Sequence, residues 1–203
     1  TCPIFRSSRD AEITKGIYER VPVLINENDP ENGNPWRLKI RRIFDMNKTD
    51  VLSKCVTYDD MDDQDCYTPI WEAKMLYQYI HRYGDYSNLP QGSSSSKLGS
   101  ISEGSLQNPK YEPQSRYFIL KQEVESQLDR HDWNRHWLLS WRDITNVTNE
   151  RTVISTILPR VGTDFSIRVG FIKNRDISLA TGLLANMNSF VLDYVARQML
   201  GGT

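Results

Sequence analysis

A polar segment whose side chains are able to contact nucleic-acid bases lies between two apolar segments of the sequence. Residues 137–141 and 152–158 have the apolar composition of strands, and the residues between them are largely polar. Arginine can bind guanine O6 and N7 or a phosphate, and asparagine can pair with adenine N6 and N7. Such side chains occur at Arg142, Asn146, Thr148, Asn149, Arg151 and Thr152. In the alternative interpretation, Asp143 pairs with Arg151 or Arg142 and the segment only stabilises a hairpin. The residue types alone leave both interpretations open.

Acidic residues followed by a Glu-x-Lys sequence form a second candidate site. Asp62 or Asp63, with Glu72 and Lys74, could hold Mg²⁺ and activate water, as metal-dependent nucleases do. However, the spacing of the apolar residues predicts a helix over residues 69–82. Residues two apart on a helix point about 200° away from each other, so Glu72 and Lys74 would diverge. The helical interpretation therefore disfavours the nuclease. The apolar residues that recur every four positions are Trp71, Met75 and Tyr79.

Basic and apolar residues alternate after the turn sequence Asn32-Gly33-Asn34-Pro35. Trp36, Leu38 and Ile40 are expected on one face of a strand, with Arg37, Lys39 and Arg41 on the other. A positively charged strand face would suit DNA phosphates. The alternative is an ordinary solvated face.

Composition sets limits on these candidates. The chain of 203 residues carries 25 Lys and Arg against 26 Asp and Glu, so any attraction to nucleic acid must be local. Cys2, Cys55 and Cys66 are widely spaced and complete no zinc pattern with the histidines, which indicates reduced cytosolic thiols. We find no signal peptide and no apolar run long enough to span a membrane, and expect a cytoplasmic protein.

The elements that must position these residues indicate an α+β fold with a mixed sheet and packed helices. We predict helices over residues 10–20, capped by Asp10, over 122–128 and over 179–200. Strands are predicted over 117–120, 137–141, 152–158 and 165–172. Residues 87–115 include Gln91-Gly92-Ser93-Ser94-Ser95-Ser96 and three prolines, which indicates a flexible insertion. It would separate an N-terminal part, 1–86, from a strand-rich part, 116–203.

Several stretches resemble the region that follows the methyltransferase domain in type IIG restriction–modification enzymes and related phage-defence methyltransferases. The resemblance begins at Phe5-Arg6-Ser7-Ser8-Arg9-Asp10-Ala11-Glu12-Ile13 and spans nearly the whole chain in the same order. Its further blocks are Asn34-Pro35-Trp36 with Phe44-Asp45-Met46; Pro69-Ile70-Trp71-Glu72-Ala73-Lys74-Met75 with Gln78 and His81-Arg82-Tyr83; Arg142-Asp143-Ile144 with Thr148-Asn149-Glu150-Arg151-Thr152 and Leu158-Pro159; and Asn188-Ser189-Phe190 with Asp193-Tyr194-Val195-Ala196-Arg197-Gln198 and Gly201-Gly202-Thr203.

The resemblance implies a target-recognition region of a bacterial adenine-specific DNA methyltransferase, whose partners are double-stranded DNA and the methyltransferase domain. That upstream domain would bind S-adenosylmethionine. The resemblance also implies that the Glu-x-Lys block belongs to the target-recognition region and not to a nuclease centre. We expect phosphate contacts from Arg37, Lys39, Arg41, Lys74 and Arg82. Base contacts are expected in the 142–152 loop, at Arg142, Asn149, Arg151 and Thr152, and in the 84–114 insertion.

The chain departs from such enzymes by lacking their catalytic motifs. It has no glycine-rich cofactor turn and no Asn/Asp-Pro-Pro-aromatic loop, because Trp36 and Lys110 follow its two Asn-Pro pairs. We therefore expect a fragment without catalytic residues, cofactor or metal of its own; its start at Thr1 and its end at Thr203 fit that expectation.

The alternatives are a structural module that docks on the methyltransferase domain, and a Mg²⁺-dependent nuclease. A basic surface cleft would favour DNA recognition. An exposed apolar patch would favour the docking module, and convergent carboxylates would favour the nuclease.

Overall fold

The computed structural model describes residues 3–87, 89, 98–146, 148–173 and 177–200. The segment Gln91 to Ser96, Cys2 and the terminal Gly-Gly-Thr lie outside them. The predicted α+β class is confirmed. The helices are α1 (Ser8–Tyr18), α2 (Thr49–Leu52), α3 (Glu103–Gln107), α4 (Lys121–Asp129), α5 (Ile177–Met187) and α6 (Phe190–Met199). The strands are β1 (Leu38–Arg41), β2 (Tyr67–Trp71), β3 (Gly84–Asp85), β4 (Gly99–Ser100), β5 (Tyr117–Leu120), β6 (Trp137–Arg142), β7 (Ser155–Pro159), β8 (Gly162–Thr163) and β9 (Ile167–Ile172).

These strands form three sheets in the described part of the chain. The four-stranded sheet has the order β1-β9-β6-β7, the three-stranded sheet β5-β2-β8, and the third pairs β3 with β4. In the second sheet β2 runs antiparallel to β5 and parallel to β8, so the sheet is mixed. β6 is antiparallel to both of its neighbours, and Leu139 lies opposite Ile157 of β7 and Gly170 of β9.

The chain divides into two compact units, each assembled from segments that are distant in the sequence. Unit 1 contains residues 1–39, 144–153 and 172–203, and unit 2 contains residues 40–143 and 154–171. The apolar core of unit 2 includes Ile70 of β2, Leu138 of β6 and Phe171 of β9, all nearly inaccessible to solvent. In unit 1 the Tyr194 hydroxyl donates to Asp10 at 2.7 Å, which ties α6 to α1.

The predicted helix over residues 69–82 is wrong. The segment is β2, an extended Glu72 and a 3₁₀ helix, Ala73–Met75. Pro69 is tolerated in β2 because neither neighbouring strand requires an N–H from it. On one side it lies opposite Phe118, whose N–H and C=O both bond with Val56. On the other side, β8 pairs with β2 only from Ile70 onwards. Pairing with two strands that are distant in the sequence overrides the helix-like spacing of the apolar residues.

Other boundaries also differ from prediction. The helix predicted over 179–200 is two helices, because Ser189 caps α6 by accepting the N–H of Leu192 at 3.2 Å. Ser7, not Asp10, caps α1, and it accepts the N–H of Asp10. β1 begins at Leu38 because Arg37 has a φ of 48° and leaves the strand conformation. The predictions for α4, β5 and β6 are confirmed, and β9 lies within its predicted range, whereas β7 begins three residues later than predicted and ends one residue beyond.

Candidate nucleic-acid interface

At the start of the 142–152 loop, Arg142 and Asp143 make contacts within unit 2. The Arg142 guanidinium donates to the Leu76 carbonyl from Nε at 3.2 Å and from Nη2 at 2.6 Å. Asp143 pairs with Arg168 at 2.5 Å and Arg42 at 2.6 Å, and not with Arg142 or Arg151, the partners considered for it. Burial raises the pKa of Asp143, but the hydrogen bonds from Arg168 and Arg42 outweigh it and keep the pKa below its usual value. Both residues therefore brace the fold.

At the end of the loop, Arg151 and Thr152 are buried within unit 1. Arg151 donates to the Asn188 carbonyl at 2.7 Å and lies 3.5 Å from Asp193 Oδ1. The N–H of Thr152 donates to the same carboxylate oxygen at 2.7 Å. Asn149 is exposed, so among the four side chains expected to contact bases it is the most accessible to a ligand.

Two of the residues expected to contact phosphates are also engaged internally. Arg82 donates to the carbonyls of Asn108, Tyr111 and Leu106, which attaches residues 106–111 to the region that follows β2. Lys74 lies 3.3 Å from Glu72 Oε2. The expectation that Glu72 and Lys74 diverge is wrong, because the helix on which it depended does not form and Glu72 is extended.

Glu72 has a carboxylate neighbour, but it is Asp164 and not Asp62 or Asp63. Asp164 follows β8, its N–H donates to the Trp71 carbonyl at 3.0 Å, and burial, with a smaller effect of the Glu72 charge, raises its pKa to about 6. Tyr86 is buried beside them, and burial and the nearby Glu72 raise its pKa. Among the described residues, neither Glu72 Oε1 nor Tyr86 Oη makes a hydrogen bond of normal geometry. Across the described ranges, no group of three or more His, Cys, Asp or Glu side chains is arranged to hold a metal ion.

The basic residues at β1 are exposed, as predicted. Lys39 and Arg41 alternate with the buried Leu38 and half-buried Ile40, and Arg37 is exposed just before the strand. Arg41 donates to the carbonyl of the preceding residue, Ile40, and its side chain is exposed. These positions remain predicted phosphate contacts.

A cavity of about 520 Å³ in unit 2 adds basic residues that the sequence analysis did not single out. Arg42, Lys48, Lys54 and Arg130 line it together with three acidic residues, Asp45, Asp50 and Glu123. Lys54 pairs with Glu123 at 2.9 Å, and Arg42 pairs with Asp143. The closeness of residues 42, 48 and 54 in sequence was a signal for a basic patch, but nothing in the sequence connected Arg130 to it.

Two of the lining cations have no counter-charge. Within the part of the chain that the structure describes, neither Lys48 nor Arg130 has a carboxylate within ion-pair distance, and both are exposed. An anion such as a phosphate group could therefore approach both without displacing an existing ion pair. The cavity is therefore a candidate phosphate-binding surface in unit 2.

No helix in the described ranges is both long and apolar enough to cross a membrane. The sequence matches no protein-family model and no curated protein. The resemblance to type IIG restriction–modification enzymes thus stays a prediction.

Proposed function

We propose that this chain is a DNA target-recognition module. Its unit 2 would bind the phosphate backbone at the cavity that Lys48 and Arg130 line. The observation that carries the proposal is that two exposed cations, Lys48 and Arg130, lie on the wall of a single cavity and form no ion pair with any described residue. In duplex DNA, phosphates supply most of the binding energy and fix the register of the protein.

Within this proposal, some residues of the 142–152 loop position the loop and another contacts the DNA bases. Arg142, Arg151 and Thr152 hold the loop to the fold, and a base-reading loop must be held rigidly to discriminate between bases. Asn149 is then the residue of the set best placed to contact a base edge, since its side chain is exposed. The proposal assigns methylation of adenine, with S-adenosylmethionine, to a separate domain in a bacterial, cytoplasmic parent enzyme.

A salt-dependent binding assay tests the proposal. We expect the chain to bind a labelled mixed-sequence DNA duplex at low salt, measured by fluorescence anisotropy. The double substitution Lys48→Gln/Arg130→Gln should weaken binding about tenfold and reduce the slope of log K against log salt by about two, since two phosphate contacts are lost.

The control is Arg9→Gln/Lys15→Gln, which changes the net charge equally on the exposed surface of α1. It should leave the affinity within about twofold of the original. Absence of binding by the unsubstituted chain at low salt would refute the proposed function. Equal losses in the two double variants would show that only net charge matters and that the cavity is not a site.

Docking on another protein domain is a second candidate function, and a specific observation favours it for unit 1. Most exposed large apolar side chains of the described residues lie in that unit, whereas unit 2 exposes Leu52, Tyr58, Tyr79 and Tyr83. Exposed apolar side chains that form one contiguous patch indicate contact with protein. Those of unit 1 are Ile4, Phe5, Ile13, Tyr18, Val21, Val23, Ile144, Ile177, Phe190, Val191 and Leu192.

The partner that we propose for this surface is the methyltransferase domain of the parent enzyme. Val191 is 55% exposed on α6, so Val191→Asp should leave the melting temperature of the chain nearly unchanged. In the full-length parent the same substitution should lower the melting temperature, because a charge would then be buried. If the parent and the chain respond equally, the surface does not dock there.

A further inference from the structure

A tight turn after β2 holds an exposed tyrosine in a backbone conformation that rarely accommodates one. The N–H of Tyr77 donates to the Ile80 carbonyl at 2.8 Å, and the N–H of Ile80 donates back to the Tyr77 carbonyl at 3.1 Å. Between them, Tyr79 has a φ of 61°. This left-handed region is usually occupied by glycine or asparagine and is a strained conformation for a bulky residue.

The surrounding structure of unit 2 holds this turn in place. The N–H of Tyr79 donates to the Ser155 carbonyl of β7 at 3.1 Å. Tyr77 stacks on Tyr83 with ring centroids 4.8 Å apart, and the bidentate contact of Arg142 fixes the carbonyl of Leu76 just before the turn. Because several independent contacts determine its backbone, the turn would keep its shape with a different residue at position 79.

The tyrosine side chain itself adds little to the fold. Tyr79 is 62% exposed, the largest exposed fraction among the large apolar side chains of unit 2. Glycine would relieve the strain and would lose few packing contacts. Strain that the fold does not require, at an exposed and well-supported position, points to a ligand contact.

We propose that Tyr79 stacks on a nucleobase at an opened step of bound duplex DNA. This inference rests on the proposed function and adds a base-contacting residue to it. Aromatic side chains bind bases by stacking and insert between base steps as wedges.

The charges near the turn favour a nucleic acid over a protein surface as the ligand. The Arg142 guanidinium lies 5.7 Å from the centroid of the Tyr77 ring, and Arg82 follows Tyr79 by three residues. Both guanidinium groups donate to neutral carbonyls, and neither has a carboxylate within ion-pair distance among the residues that the structure describes. Two positive charges without an ion-pair partner in that part of the chain are therefore held close to the turn, where they favour a ligand that carries phosphates although their donors bond to carbonyls.

Substitutions at position 79 separate the ligand contact from the fold. We expect Tyr79→Gly to melt at the same temperature as the original chain or higher, and to bind a mixed-sequence duplex about tenfold more weakly, by fluorescence anisotropy. Tyr79→Phe keeps the ring and should retain the affinity within about twofold. Tyr58→Ala removes another exposed tyrosine of unit 2 and should also bind like the original chain.

A duplex with one mismatched base pair gives a readout that a structural role would not change. An unpaired base is easier to unstack, so the original chain should bind the mismatched duplex several-fold more tightly than the matched one, and Tyr79→Gly should lose this preference. If Tyr79→Gly binds both duplexes as the original does, Tyr79 contacts no base, and a protein surface is the remaining use of the exposed ring. If the original chain binds no DNA, the proposed function itself fails.

Discussion

Replacing Asp193 with alanine should destabilise unit 1 more than any other single substitution on α6. Its Oδ1 accepts the N–H groups of Thr152 at 2.7 Å and Val153 at 2.9 Å. Arg151 Nε lies 3.5 Å from the same oxygen, and Arg197 Nη2 lies 3.7 Å from Oδ2. Since Asp193 is buried, one carboxylate holds the end of the 142–152 loop to the helix.

The expected magnitude follows from the groups that lose a partner. Each buried N–H left unsatisfied costs about 1–3 kcal/mol, and removing one partner of a buried ion pair costs about 3–5 kcal/mol. These contributions overlap, because Arg151 keeps the Asn188 carbonyl. We therefore expect Asp193→Ala to lower the free energy of unfolding by about 3–5 kcal/mol. Asp193→Asn retains an oxygen for the two N–H groups and loses only the charge, so it should cost about 1–2 kcal/mol.

Thermal melting with amide hydrogen exchange checks this ranking. At about 2–4 °C per kcal/mol, alanine should lower the melting temperature by roughly 10 °C. Because the chain has two units, exchange of the Thr152 and Val153 amides supplies the local measurement and should accelerate most in the alanine variant. Glu27→Ala, an exposed acidic residue of the same unit, is the control. A loss below about 1 kcal/mol, or unchanged exchange of both amides, would refute the reasoning.

Three further predictions concern Arg151, Asp164 and Gly33. Arg151→Ala should lower the melting temperature without changing base preference in DNA binding to single-base variants, because the guanidinium is buried against a backbone carbonyl. Burial raises the pKa of Asp164 from 3.8 to about 6, so its ionisation opposes folding, and stability should fall as pH rises through that interval. Asp164→Asn should remove this dependence in urea titrations from pH 4 to pH 7. Gly33→Ala should lower the melting temperature, because its Cβ would overlap two backbone carbonyl oxygens; Gly16→Ala, with open space in α1, should not.

Local patterns in the sequence were enough to predict the elements whose residues interact with near neighbours. The apolar runs of β5 and β6, the short amphipathic helix α4 and the alternation of Leu38, Lys39, Ile40 and Arg41 each follow from a period of two or 3.6 residues. The Ser189 cap was also visible locally as a serine three residues before Leu192, but the continuous apolar stripe of residues 179–200 obscured it.

Pairing between distant segments decided the region around Glu72. Its apolar residues match a helical period, yet β5 and β8 supply hydrogen-bond partners from about 50 and 90 residues away in sequence, and the strand forms. The same pairing places Asp164, which follows β8, beside Glu72, which follows β2. No local pattern carries this information, because the partners are remote in the chain.

The sequence by itself determined the α+β class and the supply of cations for the proposed phosphate-binding surface, since both depend on residue type and short-range period. Only the tertiary structure decided which of those cations are available. Arg82, Arg142 and Arg151 find internal carbonyl or carboxylate partners, whereas Lys48 and Arg130, 82 residues apart, line one cavity and form no ion pair in the described part of the chain. The physical reason is that a charge is neutralised by whatever lies within a few ångströms of it, and in a folded chain those neighbours come mostly from distant sequence.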